Sequence, residues 1–167
     1  MSSSIPAPFT GYHTAVNPAW LDYNGHMNDS AYAVVCTQAN ELLLDAFGVS
    51  ASYREATGYA MYTAEAHLRF LGEVGADAHL RAQTLLLDAD AKKLRVHTTV
   101  FDDHDAAVLT GEYMFLHVDQ HSGRVAPFPA DRSAVIDAAL AAHRLLERPS
   151  HAGLGIGAPR LARHRTP

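Results

Sequence analysis

The chain predicts an α+β fold: a curved antiparallel sheet of about five strands wrapped around one central helix, with an extra helix near the C-terminus. Three observations predict it. From Ser30 to Phe47 apolar residues recur at the helical period and spread well past one stripe, which marks a helix surrounded by protein. Four later segments alternate with period two and are separated by short turns, the pattern of antiparallel hairpins. The 167 residues, 48% of them hydrophobic, suit one core of a single domain.

The elements follow in order. Residues 11 to 17 carry a strand signal that Pro18 ends, since proline cannot donate to a ladder. In the central helix Val35, Ala39, Leu42, Leu43 and Ala46 recur at spacings of three and four, and Gly48 sits at the expected left-handed stop. A polar stretch, SASYREATG, separates this helix from the first alternating segment. There Tyr62, Ala64, Ala66, Leu68 and Phe70 are expected on one face, and Thr63, Glu65, His67 and Arg69 on the other. Leu80, Ala82, Thr84 and Leu86 alternate in the next strand, Leu94, Val96, Thr98 and Val100 in the one after, and residues 106 to 118 make a long last strand. Ala130 to Glu147, rich in alanine and leucine after a proline, predicts the second helix. A single domain is thus expected over residues 1–148, with a Gly/Pro/Arg-rich tail over 149–167 that is mobile or docked on a partner.

A formal charge of −5 argues against nucleic-acid binding, which needs a basic face to neutralise phosphates. The one cysteine, Cys36, precludes an intrachain disulfide, and its apolar setting predicts a buried, reduced thiol and a cytoplasmic location. The opening segment MSSSIPAPFTGYH has neither a basic start nor a long apolar run, and no stretch approaches the roughly 20 residues that span a bilayer, so no membrane association is expected. Eleven histidines include His13, His26, His67, His79 and His97, too scattered to form a ligand set, so no metal is expected.

The chemistry concentrates in DYNGHMND, residues 22 to 29, at the mouth of the central helix. Asn28 or Asp29 can cap the helix, and its first-turn N–H groups have no intrahelical partners. Such a terminus stabilises negative charge developing on the oxygen of an attacked carbonyl. Asp22 can aim a carboxylate at the same spot, and Gly25 lets the backbone approach a ligand closely. A carboxylate beside an oxyanion hole makes an acyl-transfer site. The same residue types also make ordinary turns and caps.

The motif resembles that of the hotdog-fold acyl-CoA thioesterases of the 4-hydroxybenzoyl-CoA thioesterase type. Their pattern is an aspartate, then after two residues Gly-His, an aliphatic residue and Asn at the helix entry; here it reads Asp22, Gly25-His26, Met27 and Asn28. The resemblance covers roughly residues 10 to 130. The phrases DYNGHMND, YTAEAHLRFLGEV and GEYMFLHVD look like those of the thioesterases of carnitine degradation, which hydrolyse betainyl-CoA to glycine betaine and CoA. The resemblance implies a hotdog fold and Asp22 as nucleophile or general base. It also implies an oxyanion donor from the backbone around Asn28, Asp29 and Ser30, and His26 and Asn28 positioning the loop or the attacking water. It implies no cofactor and no metal.

A trimethylammonium acyl group calls for an acidic residue and aromatic faces around the cation. Glu65, Trp20, Tyr23 and Tyr62 are the candidates here, although Glu65 can equally pair with Arg69, and Tyr62 can belong to the core. The phosphates of CoA call for a basic cluster, for which Lys92, Lys93, Arg95, Arg69 and the tail residues Arg160, Arg163 and Arg165 are available. Because one sheet covers only one side of the cleft, a homodimer or homotetramer is expected. Hydration of enoyl-CoA on the same fold is a rival reading. Its histidine follows the aspartate by five positions and a proline follows the asparagine, whereas His26 is four after Asp22 and Gly25 stands where that proline would be. A non-catalytic acyl-CoA-binding hotdog protein is the other alternative, since fold alone does not fix function.

Overall fold

A computed structural model describes residues 5–156. The long strands β1 (Phe9–Ala15), β2 (Tyr59–Phe70), β3 (His79–Ala89), β4 (Lys93–Phe101) and β5 (Ala107–Asp119) form one antiparallel sheet in the order β1-β3-β4-β5-β2. A two-residue strand, β6 (Arg124–Val125), pairs with β5. The sheet curls around helix α1 (Asp29–Ala46), whose Val35, Cys36, Ala39 and Leu43 are sealed against Leu80, Leu94, Val96 and Leu109. This is the architecture read from the periodicities, and burial explains it: the helix needs cover on most sides, and the concave sheet needs an apolar filling. No helix among the described residues is long and apolar enough to cross a membrane.

One polar row crosses this core. Thr98 Oγ1 donates to Asn40 Oδ1 at 2.8 Å and lies 3.0 Å from Thr84 Oγ1, all three residues being buried between α1, β3 and β4. Cys36 packs beside Gly111, and burial pushes its thiol up to about 12, so it stays protonated and inert at neutral pH.

Three expectations need correction. SASYREATG is not merely a polar connector but holds a short helix, α2 (Ala51–Thr57), which ends at Gly58 with φ 76° and buries only Tyr53. The C-terminal helix, α3 (Ala130–His143), stops short of Glu147. His143 at its end is buried, accepting at Nδ1 from Leu86 N–H at 2.9 Å and meeting the Pro6 carbonyl through Nε2 at 3.0 Å, and Arg144 caps the helix in αR geometry. In β2 the register shifts between Thr63 and Glu65, so Ala64 is an extra residue and the alternation breaks. Tyr62 lies opposite Leu116 and Glu65 opposite Met114, whereas Phe70 lies opposite Leu109. Partners an odd number of positions apart on β5 face opposite ways, so Tyr62 joins Glu65 on the outer face while Phe70 takes the concave one.

The outer face carries a buried charge. Glu112 is flanked across the sheet by His97 and His67. Its Oε1 accepts from Arg95 and its Oε2 accepts from the Gly153 N–H at 2.6 Å. Residues 149–156 therefore lie against the sheet; Ile156 is buried, and a Cβ at Gly155 would come within 2.3 Å of the His67 ring. Arg160, Arg163 and Arg165 lie outside the described residues.

His97 is buried in this layer, and neither ring nitrogen has a partner among the described residues. Burial lowers its pKa from 6.5 to about 4; Glu112 opposes the shift, while His151 and Arg148 add to it. The folded-state value lies below the unfolded one, so the neutral ring favours the fold above pH 6.5, and that contribution is lost as pH falls toward 4. The loss is on the order of 3 kcal/mol, and His97→Leu is expected to flatten the pH dependence of the urea midpoint between pH 7 and 4.5.

Candidate active site

The loop of the motif is built by its own polar groups. Asp22 N–H donates to the His26 carbonyl at 2.8 Å, and Gly25 N–H donates to the Asp22 carbonyl at 3.0 Å, closing a tight turn in which Gly25 takes φ 78°. The Asp22 carboxylate is part of that turn. Its Oδ1 accepts from Asn24 N–H at 2.8 Å and from His26 N–H at 3.3 Å, an Asx-turn. Its Oδ2 makes only a 3.5 Å contact with Asn24 Nδ2. One oxygen thus anchors the group and the other remains available for chemistry.

The loop is clamped at both ends. Met27 N–H donates to the Val74 carbonyl at 2.8 Å, and His26 bridges to Gly75, which ties the motif to the segment after β2. Asn28 is the N-cap of α1: its Oδ1 accepts from Ala31 N–H at 3.0 Å and from Ser30 Oγ at 2.5 Å. Its Nδ2 and its backbone N–H both donate to the Trp20 carbonyl, at 2.7 and 2.8 Å. Asn28→Ala is expected to cost about 1–2 kcal/mol in urea unfolding. Asn28→Asp keeps the cap oxygen but sets a carboxylate oxygen against the Trp20 carbonyl in place of the amide donor, so it is expected to recover only part of that loss.

Ser30 N–H is taken by Asp29 Oδ1 at 2.8 Å and Ala31 N–H by Asn28. The Asp29 N–H has no acceptor among the described residues. It is the first-turn donor left for an incoming oxygen, supported by the positive end of an 18-residue helix.

Asp22 and Asp29 line one cleft of about 400 Å³, together with His26, Tyr32, Phe70 and Glu73. Tyr32 is fixed there by donating its hydroxyl to the Gly72 carbonyl at 2.9 Å, and its ring meets Phe70 edge-on with centroids 5.5 Å apart. His26 Nδ1 is 3.7 Å from Glu73 Oε2. Sequence reasoning misses Phe70, Glu73 and Tyr32 as site residues; the nearest signal is the company of Phe70 and Glu73 in the phrase running on from β2, whose fold back onto the motif loop no local pattern announces, while Tyr32 reads as part of α1.

The other nominated residues fall elsewhere. Trp20 packs against the core and serves the site through its carbonyl. Tyr23 is 96% exposed at the turn tip. Tyr62 and Glu65 sit on the outer face of β2, outside the lining of the Asp22 cleft. Among the basic residues, Arg95 is committed to Glu112 and Lys93 is 3.2 Å from Asp90, leaving Lys92 and Arg69 exposed.

Residues 16–140 match the family model of the thioesterase-like superfamily. The chain belongs to that superfamily. A betainyl-CoA thioesterase of Pseudomonas aeruginosa is 38% identical to this superfamily member over 90% of this chain and 95% of its own length. An L-carnitine dehydrogenase/betainyl-CoA thioesterase of Agrobacterium fabrum is 41% identical over 92% of this chain, which spans only 31% of that longer protein. Solved structures bear out the hotdog fold: a Staphylococcus aureus hypothetical protein in complex with CoA matches with a TM-score of 0.83 at 23% identity, covering 94% of this chain and all of that one. A 1,4-dihydroxy-2-naphthoyl-CoA thioesterase from Synechocystis matches with 0.68 at 16% identity, over 75% of this chain and 93% of its own.

Proposed function

We propose that this member of the thioesterase-like superfamily hydrolyses an acyl-CoA thioester to the free acid and CoA, with betainyl-CoA as substrate and glycine betaine as product. One observation carries the reading: the Asp22 carboxylate and the N-terminus of α1 line the same cleft. The two relatives named for betainyl-CoA hydrolysis, at 38% and 41% identity, support the acyl group and a place in carnitine breakdown.

In this reading the thioester carbonyl carbon lies against Asp22 Oδ2 and its oxygen against the Asp29 N–H. Oδ2 either bonds to the carbonyl carbon, giving an acyl-enzyme that water cleaves, or takes the proton of the attacking water. In both cases the electrons of the broken C–S bond leave with the CoA thiolate. The helix terminus offsets the charge that builds on the oxygen. His26 and Asn28 hold the loop, and Gly25 gives the turn its shape. A single turnover in ¹⁸O-water tests the nucleophilic role: label in Asp22 requires the mixed anhydride and water attack at its Asp22 carbonyl carbon, whereas the general-base route and water attack at the acyl carbon both place the label in the product acid.

The active unit is a homodimer or a dimer of dimers. The reading is supported by β2, a terminal strand of 12 residues whose Tyr62 to Ala66 are exposed and whose edge groups are free to pair with a second copy. A buried, reduced Cys36 suits a cytoplasmic enzyme.

The test is thiol release from a panel of betainyl-CoA, short neutral acyl-CoAs and an enoyl-CoA. Release is expected to be fastest from betainyl-CoA. Hydration of the enoyl-CoA without thiol release would assign the rival hotdog chemistry, and acyl-CoA binding without either reaction would make the chain a binder only.

A further inference from the structure

We infer that Glu73 and Phe70, backed by Tyr32, form the receptor that selects a cationic acyl group in the Asp22 cleft; the inference rests on the betainyl-CoA reading above. It begins with the size of the substrate. A betainyl group is an N-trimethylglycyl group, so its nitrogen is two bonds from the carbonyl carbon, about 2.5 Å away. When that carbon sits at Asp22, the cation has no freedom to reach a distant pocket. Whatever recognises it lines the same cleft.

Glu65 of the same subunit does not meet this condition. It precedes Phe70 by five residues, about 16 Å along an extended strand, and the register shift at Ala64 leaves it on the outer face. Glu73 and Phe70 do meet it. Phe70 is 53% exposed, an aromatic ring left half in water, and it is held edge-on to Tyr32 at 5.5 Å. The Glu73 side chain is 81% exposed and 3.7 Å from His26, free to meet an incoming charge. The described lining of the cleft has three carboxyl groups, of Asp22, Asp29 and Glu73, and no lysine or arginine. A quaternary ammonium cannot donate a hydrogen bond, so charge and ring faces within about 6 Å are what the chemistry of recognition offers it.

The composition of the cleft also separates recognition from catalysis. Asp22 acts on any thioester placed against it. Glu73 acts where the acyl group carries charge, and Phe70 adds a ring-face attraction for that charge to the contact it makes with any acyl group.

The test compares kcat/KM for betainyl-CoA with that for 3,3-dimethylbutanoyl-CoA, which has the same shape with carbon in place of nitrogen, in the full-length protein. Wild type is expected to favour the charged ester. Glu73→Gln is expected to lower that ratio by about tenfold and Phe70→Leu by about threefold to tenfold; the ratio is the readout, because both residues line the cleft that either ester enters. Both residues are exposed, so the fold is expected to persist, which circular dichroism checks. An equal fall for both esters in Glu73→Gln would mean that Glu73 works only by positioning His26, and would overturn the inference. So would a ratio that survives in Glu73→Gln and Phe70→Leu but collapses in Glu65→Gln. Wild-type protein that hydrolyses both esters equally, or neither of them, would instead overturn the betainyl-CoA reading itself.

Discussion

Asp22→Asn is expected to lower thiol release by about 10²–10⁴-fold while leaving the unfolding transition close to that of wild type. The two halves of this expectation come from different oxygens. An asparagine can keep its side-chain oxygen where Oδ1 accepts from Asn24 and His26 N–H, so the turn and the path into α1 persist. At the position of Oδ2 it presents an amide, which neither attacks a carbonyl nor takes a proton from water. A thiol-reactive dye gives the readout cleanly, because the sole cysteine is buried with its thiol pushed up to about 12. Near-normal turnover in this variant would remove Asp22 from the chemistry, and with it the argument from the shared cleft.

Arg95→Met is expected to destabilise the protein by about 3–5 kcal/mol in urea unfolding, more than either cap or turn substitution. The Glu112 side chain is 1% exposed and relies on the Arg95 guanidinium at Oε1 and the Gly153 N–H at Oε2. Removing Arg95 leaves a buried carboxylate with one donor. Replacing both residues, Arg95→Met with Glu112→Met, removes the uncompensated charge along with the pair, and is expected to recover most of the loss. The same single variant is expected to loosen residues 149–156, since their main polar tie to the sheet is that carboxylate, and limited proteolysis of this segment checks it. A loss below about 1 kcal/mol would show that the pair is already solvated.

What was legible in the chain was what repeats or caps. The apolar recurrence from Val35 to Ala46, the alternation of Leu94 to Val100 and the Asn28 cap all announced structure that formed, because each is decided within a few residues. The extra residue at Ala64 was not legible. It is set by how β2 meets β5, and Tyr62 to Phe70 alternate smoothly when read alone. That single displacement carries Tyr62 to the wrong side for a site near Phe70. Helix α2 was hidden for a different reason: it buries only Tyr53, so it has no apolar stripe to read. The docking of Gly153 did have a signal, the charge of Glu112 amid the apolar run of β5, since a carboxylate in such a place needs a donor from somewhere. Asp22, His26 and Asn28 converge as neighbours in one loop would. Glu73 reaches them from a segment 51 positions after Asp22, brought back by the bonds of Met27 to Val74 and of Tyr32 to Gly72.

The hydroxyl and amide row formed by Thr84, Thr98 and Asn40 acts as a dowel. Grease alone lets a cylinder slide or spin in a trough with little preference, because contact between oils has no direction. A slip of one position would swing the peg at Asn40 through about 100° and strand it without its hole. Asn28 lies twelve residues farther up the same rod, about 18 Å away, so the aim of the reactive end is set by a pin driven well below it.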